Sequence, residues 1–225
     1  MILITGASQG IGKYLFENFS KTHEVFGTFT NTEPPIEFSE RFYKIDVRDC
    51  ESIQKWINSI ENKSNITLIN CVGVNYNSFA HKANIEEWKN VIDVNLTGVF
   101  NVIHEILPFM RQDQYGRIIN LSSVVSQMGV PGTSAYAASK SGLNGMIKSL
   151  AKENGSKGIT INNLNLGYFN LGIIREVPDT MKDEIKKSIP NHQFGGPENI
   201  FNVIQSLIDS PYINGTAIDI NGGIF

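Results

Sequence analysis

The sequence predicts an α/β fold: a doubly wound parallel sheet of about seven strands with helices on both faces, forming a single domain over residues 1–225. Two observations carry this. Short β-rich runs alternate with amphipathic stretches along almost the whole chain, and every chemically suggestive motif stands just after one of those runs.

The elements follow in order. A buried run at 1–4 leads through a glycine-rich turn into a helix at 11–20. Runs at 24–28 and 41–45 supply the second and third strands, and a helix at 50–60 precedes the fourth strand at 66–70. One long helix at 85–110 reaches the fifth strand at 117–121. A second long helix, 134–155, precedes the sixth strand at 160–165; shorter helices at 180–188 and 197–208 lead to the last, 216–220. No Pro/Ser-rich linker, charge block or repeat divides the chain. In such a sheet, ligands gather where the carboxyl ends of the strands meet the helices.

Composition narrows the function classes. A net charge of −3 provides no global basic field for nucleic acid, and 41% hydrophobic residues with 18% charged describe a globular protein. Two cysteines, Cys50 and Cys71, make no disulfide framework and fit a reducing compartment. The start lacks a basic region and a signal core, and no apolar run approaches the ~18 residues of a membrane span, so a cytoplasmic location is expected. The four histidines are scattered, and no metal site is expected.

The glycine-rich turn is Thr5-Gly6-Ala7-Ser8-Gln9-Gly10-Ile11-Gly12. Glycines there let the backbone approach a pyrophosphate, whose charge amide N–H groups at a helix start can hold. Gly6, Ser8, Gln9, Gly10, Ile11 and Gly12 are therefore candidate dinucleotide ligands. The second strand ends in Thr28-Phe29-Thr30-Asn31, with no acid to accept from adenosine ribose hydroxyls. Its absence favours NADP(H) over NAD(H), with Thr28, Thr30 and Asn31 as hydroxyl and amide ligands in a tip that offers no Arg or Lys. After the third strand, Asp46 could accept from an adenine amino group beside Val47, or simply start a turn.

Tyr136 and Lys140 stand four apart within Tyr136-Ala137-Ala138-Ser139-Lys140. On a helix they share one face, where a held cation can favour phenolate and make Tyr136 a usable proton donor. An ordinary surface contact has the same spacing.

Thr5 to Gly12, Asn70-Cys71-Val72-Gly73, Asn95, Ser123, Tyr136 and Lys140 occur in the order used by short-chain dehydrogenase/reductases, a family the chain resembles from end to end. Asn95 to Ser123 is 28 residues, Ser123 to Tyr136 is 13, and Tyr136 to Lys140 is 4. The resemblance implies a Rossmann sheet and reduction of a ketone to an alcohol. It makes Tyr136 the proton donor, Ser123 a hydrogen-bond donor to the carbonyl oxygen, and Lys140 a stabiliser of phenolate that also bonds the nicotinamide ribose. Asn95 would hold a water linking Lys140 to solvent. Asn70, Val72 and Gly73 would line the adenosine-ribose side and support the central strand, and Ser122 would be a strand-end residue bonding backbone. After the sixth strand the family shows Pro-Gly and then a Thr that contacts the nicotinamide amide; this chain has Leu166-Gly167-Tyr168-Phe169-Asn170-Leu171. With leucine in the threonine position, the carboxamide must rely on backbone near Gly167 and Phe169.

Within the family the resemblance is to bacterial 3-oxoacyl-acyl-carrier-protein reductases, carried by Gly116 to Val125 and by a substrate lid near 171–196. Those enzymes dock an acidic carrier protein on basic residues, and here one such position is Lys157 but the other is Gln114. An acyl-carrier-protein-linked ketone is the expected substrate. Val125, Met128, Val130 and Tyr168 offer an apolar pocket. A sugar, polyol or nucleotide sugar is the alternative, favoured by Asn75, Asn77, Gln127 and Asn170. A non-catalytic dinucleotide sensor or scaffold is the reading from another class. Apolar stripes on the two long helices imply a homo-oligomer, a tetramer by resemblance.

Overall fold

A computed structural model describes residues 1–172, 174 and 177–224. Its centre is a seven-stranded parallel sheet in the order β3-β2-β1-β4-β5-β6-β7. The strands are β1 (Ile2–Thr5), β2 (Val25–Phe29), β3 (Phe42–Lys44), β4 (Thr67–Asn70), β5 (Gly116–Ser123), β6 (Ile159–Leu166) and β7 (Ala217–Ile220). All seven expected strands form, with ends displaced by up to two residues.

Among the described residues eight α-helices connect or flank them: α1 (Gly10–Phe19), α2 (Cys50–Ser59), α3 (Ile85–Ile92), α4 (Gly98–Asp113), α5 (Val125–Met128), α6 (Ser134–Asn154), α7 (Asp179–Ser188) and α8 (Pro197–Asp209). The sheet is buried on both faces because each carries its own apolar layer. Leu3, Leu68 and Ile118 pack with α2, α4 and α6 through Trp56, Ile103 and Leu143. Ile4, Ile69 and Ile119 pack on the other face with Phe16 of α1 and Ile204 of α8. Burial of β1 and β4 on both faces explains why consecutive apolar residues, Ile2 to Ile4 and Leu68 to Ile69, stand at their centres. Local signals set the starts of α2 and α3, where Asp49 and Asn84 accept from backbone N–H groups two and three residues on.

The helix expected over 85–110 forms as a continuous helical run, with a π turn at Asp93–Thr97 between α3 and α4. The inserted residue turns Asn95 inward, where it is fully buried. The short α5 and the 3-10 turns at Ile36–Arg41 and Ala80–Lys82 were not foreseen. Part of the expected lid, Ile173, Arg175 and Glu176, lies outside the described residues; α7 is its helical portion.

From β1 the chain winds outward to β2 and β3, and from β4 it winds the other way to β7. That reversal opens a crevice at the carboxyl ends of β1 and β4. A methyl group on Gly6, just after β1, would lie 3.1 Å from Val72 just after β4, so the two turns meet at the switch point.

Candidate active site at the sheet switch point

The glycine-rich turn closes tightly between β1 and α1. Gly6 has φ +64°, and a Cβ on Gly12 would collide with the Gly6 carbonyl oxygen. Gly6 and Ala7 donate to the hydroxyl and carbonyl of Thr28 at 3.4 and 2.8 Å. Thr28 therefore sits beneath the turn and braces it, with only 2% of its surface exposed. No side chain caps α1 and no acid stands in its first turn, so its electropositive end is left for an anion. Ser8 is buried, Gly10 and Ile11 are half-buried, and Gln9 is exposed. The uncapped helix end and a backbone that only glycine permits fit a pyrophosphate.

At the β2 tip, Thr30 donates to the Ile45 carbonyl at 2.8 Å and Asn31 is exposed. Thr32 adds a hydroxyl that donates to Gln9 at 3.2 Å. Asp46, expected as an adenine acceptor, shares its carboxylate with a neighbouring guanidinium. Arg48 grips its two carboxylate oxygens at 2.5 to 3.1 Å and also donates to Asn90 at 2.7 Å. That guanidinium holds the Asp46 carboxyl below its usual range. Val47 is buried and its carbonyl accepts from Asn101 at 3.0 Å. Arg48 is a member of this region that sequence reasoning passed over as part of a turn.

Asn70 faces the sheet, 1% exposed, and bonds Thr5 and Asn120. Val72 donates its N–H to the Thr5 hydroxyl at 3.4 Å. Gly73 stands closest to the reactive groups: a methyl there would lie 3.6 Å from Asn95 Oδ1 and 3.7 Å from Lys140 Nζ.

Ser123, Tyr136, Lys140 and Asn95 converge beside this turn. β5 delivers Ser123 at its carboxyl end, and α6 packs across that end with Tyr136 and Lys140 one turn apart. Burial pushes the Tyr136 phenol up, against a smaller pull downward from the Ser123 hydroxyl beside it. Lys140 is 4% exposed, and burial pulls its ammonium down to about 8. Its Nζ donates to the Leu121 carbonyl at 2.8 Å and stands 5.6 Å from the Tyr136 ring centre. The expected depression of Tyr136 by Lys140 is thus corrected, because desolvation of the phenol dominates and the cation is turned toward β5. Ser122 donates to the Lys140 carbonyl at 3.3 Å, a backbone-bonding strand-end residue. Cys71, also beside the ammonium, is pushed up to about 12 by burial, with Lys140 opposing.

The Asn95 carboxamide, expected to hold a water, is spent on protein. It donates to the Val74 carbonyl and accepts the Val74 N–H, both at 2.8 Å, and donates to Ser139 at 3.2 Å. It clamps the segment after β4 to α6 from its buried place in the π turn.

After β6, Gly167 donates its N–H to Ile220 at 2.9 Å, and a methyl on it would strike Asn221. Phe169 is buried and forms a parallel bridge with Gly195, in which Tyr168 accepts from Gly195 and Asn170 donates to it. In such a bridge the central residue's own N–H and C=O face the other side. Tyr168, Gln193 and Asn221 line a neighbouring cavity of about 190 Å³. Gln114 folds back onto α4, donating to Arg111 at 2.7 Å, and Lys157 is half-buried. Among the described residues no cluster of His, Cys, Asp and Glu could hold a metal, and no helix is long and apolar enough to cross a membrane.

Comparison with known proteins agrees with this geometry. The family model for short chain dehydrogenases matches residues 1–182. The chain is 32% identical to the 3-oxoacyl-[acyl-carrier-protein] reductase FabG of Staphylococcus epidermidis, covering 99% of this chain and 98% of that one. It is also 32% identical to FabG of Escherichia coli, covering 99% and 96%. The crystal structure of 3-oxoacyl-[acyl-carrier protein] reductase from Brucella melitensis superposes with a TM-score of 0.89 at 27% identity, over 99% of this chain and 90% of that one.

Proposed function

Because the chain belongs to the short-chain dehydrogenase family, and so is a nicotinamide-dependent oxidoreductase, we propose that it uses NADP(H) to reduce a 3-oxoacyl thioester carried on acyl carrier protein. The observation that carries this reading is the meeting of Ser123, Tyr136 and Lys140 at the carboxyl end of β5, beside a turn suited to pyrophosphate.

When bound, a reduced nicotinamide supplies hydride to the carbonyl carbon. Tyr136 gives its proton to the carbonyl oxygen; burial keeps the phenol protonated until substrate arrives, and the nearby Lys140 ammonium favours the phenolate as it forms. Ser123 donates a hydrogen bond to that oxygen and orients it. Lys140 keeps one ammonium hydrogen on Leu121 and has two others for the nicotinamide ribose and for the phenolate that forms. Gly6, Gly10 and Gly12 would admit the pyrophosphate, and Gly73, Gly167 and the peptide groups of Phe169 would hold the nicotinamide ribose and carboxamide. The choice of NADP(H) rests on the absence of an acid in Thr28 to Thr32, where the exposed Asn31 amide offers a neutral donor while the Thr30 and Thr32 hydroxyls donate to Ile45 and Gln9. A homotetramer through the two long helices is part of this reading.

A keto-sugar or polyol substrate is the second reading, favoured by Gln114 folding away from a docking role and by exposed Asn75, Asn77 and Asn170. A panel with NADPH comparing carrier-linked 3-oxoacyl groups with keto-sugars separates the two. Turnover on the carrier-linked substrate is expected. Turnover on sugars alone rejects the thioester reading, and dinucleotide binding without any turnover selects the sensor or scaffold.

A further inference from the structure

We propose that Ser126, Asn144 and Asn163 are positioning residues for Ser123, the last links of a hydrogen-bond chain that crosses the sheet from the dinucleotide turn. The inference rests on reading Ser123 as the group that orients the substrate carbonyl.

Thr5, Asn70, Asn120 and Asn163 occupy one register row across β1, β4, β5 and β6. That row lies between two helix layers, where apolar side chains are the rule. Here all four side chains are polar and 0 to 1% exposed. Thr5 donates to Asn70 at 3.2 Å, Asn70 to Asn120 at 2.8 Å, and Asn120 to Asn163 at 2.9 Å. Asn163 then leaves the sheet and donates to Asn144 on α6 at 2.7 Å. Asn144 donates to the Ser126 hydroxyl at 3.3 Å, and Ser126 donates to the main-chain carbonyl of Ser123 at 2.6 Å.

The direction of every link follows from the far end. The Ser123 carbonyl can only accept, so Ser126 must donate to it and accept from Asn144. That orients the Asn144 amide, which orients Asn163, Asn120 and Asn70 in turn. Thr5 is left as donor to Asn70, with its oxygen free to take the Val72 N–H at 3.4 Å. A chain of carboxamides polarised one way strengthens each link and tolerates no flipped member. Burial of asparagine alone does not produce this: Asn165, two residues along β6 on the same face, leaves its Oδ1 unpaired.

The last links grip the turn that aims Ser123. Ser126 ties down the Ser123 carbonyl, Val125 donates its N–H to Ser123 Oγ at 3.2 Å, and Ser141, next to Lys140 on α6, donates to the Ser126 carbonyl at 2.8 Å. Losing the Ser126 hydroxyl leaves the Ser123 peptide held on one side alone, where Val124 donates to the Leu166 carbonyl at 3.0 Å, and so loosens the turn that aims the hydroxyl meeting the substrate. Loss of aim by a fraction of an ångström lowers turnover more than dinucleotide affinity.

The test measures kcat and NADPH affinity for Ser126→Ala, Ser126→Thr and Asn144→Ala, each alone and in a Ser123→Ala background, with thermal melting to monitor folding. Ser126→Ala and Asn144→Ala should each lower kcat about tenfold and leave NADPH affinity within about twofold, with their combination no worse than either. Ser126→Thr, which keeps the hydroxyl, should restore turnover. In the Ser123→Ala background neither change should lower kcat further. An equal loss in both backgrounds makes the network merely structural and overturns the proposal, as does full turnover in Ser126→Ala. If Ser123→Ala itself loses nothing, the role of Ser123 fails instead. Asn163→Ala is the riskier variant for folding, and the Ser126 pair stands without it.

Discussion

Lys140 donates to the Leu121 carbonyl at 2.8 Å, which anchors the cation of α6 to the strand that carries Ser123 two residues later. β5 thereby sets the position of two of the reacting groups through one stretch of backbone. The tie also explains how a lysine only 4% exposed is accommodated, since a buried ammonium needs acceptors.

Replacing Tyr136 with Phe removes the proton donor and little else. Reduction is expected to fall on the order of 10²–10⁴-fold, with NADPH affinity by fluorescence titration nearly unchanged. Retained full turnover would sink the mechanism.

Burial of Lys140 sets a pH limit. Because its ammonium is pulled down to about 8, the free enzyme loses that charge above pH 8, and kcat/KM for reduction should fall toward about a tenfold loss per pH unit. The stability sign is opposite. Between about 8 and 10.5 the unfolded chain keeps a proton that the folded one has released, so the contribution of Lys140 to stability rises with pH. Urea unfolding of wild type and Lys140→Met on either side of pH 8 should show wild type gaining relative to the variant.

Gly12→Ala places a methyl against the Gly6 carbonyl oxygen, backbone that cannot step aside. Dinucleotide affinity should weaken more than about tenfold by titration, since the turn must open where the pyrophosphate is to be held. Unchanged affinity would show that the turn is not the dinucleotide cradle.

Asn95→Ala unties the segment after β4 from α6. Val74 is 37% exposed, so water can reach its freed groups and the loss should be about 1 kcal/mol. In a chain of this size that lowers Tm by about 2–4 °C in calorimetry. An unchanged Tm would argue against the clamp.

The alternation of strands and helices could be read from the chain because buried parallel strands and amphipathic helices leave different periodicities. The exception is instructive. Asn95 lies in a π turn, yet the apolar positions on either side, Val91, Val94, Val99 and Val102, are all buried, so the segment reads as one helix. One extra residue shifts the helix face without erasing its pattern. The site was legible to the same degree. Ser123, Tyr136 and Lys140 come together at the end of β5, while the Arg48 guanidinium that shares the Asp46 carboxylate gave no sign in the sequence.

By itself, the sequence determined the sheet, the glycine turn that follows its first strand, and the family to which that order of residues belongs. These depend on local periodicity and on short spacings. Tertiary structure alone decided what each polar group bonds: Lys140 to Leu121, Asn95 to Val74, and the row from Thr5 to Asn163 leading on to Ser126. Those partners are 18 to 65 residues apart in the chain. They meet only because register between strands, and the packing of α6 on β5 and β6, brings donor and acceptor within hydrogen-bond reach.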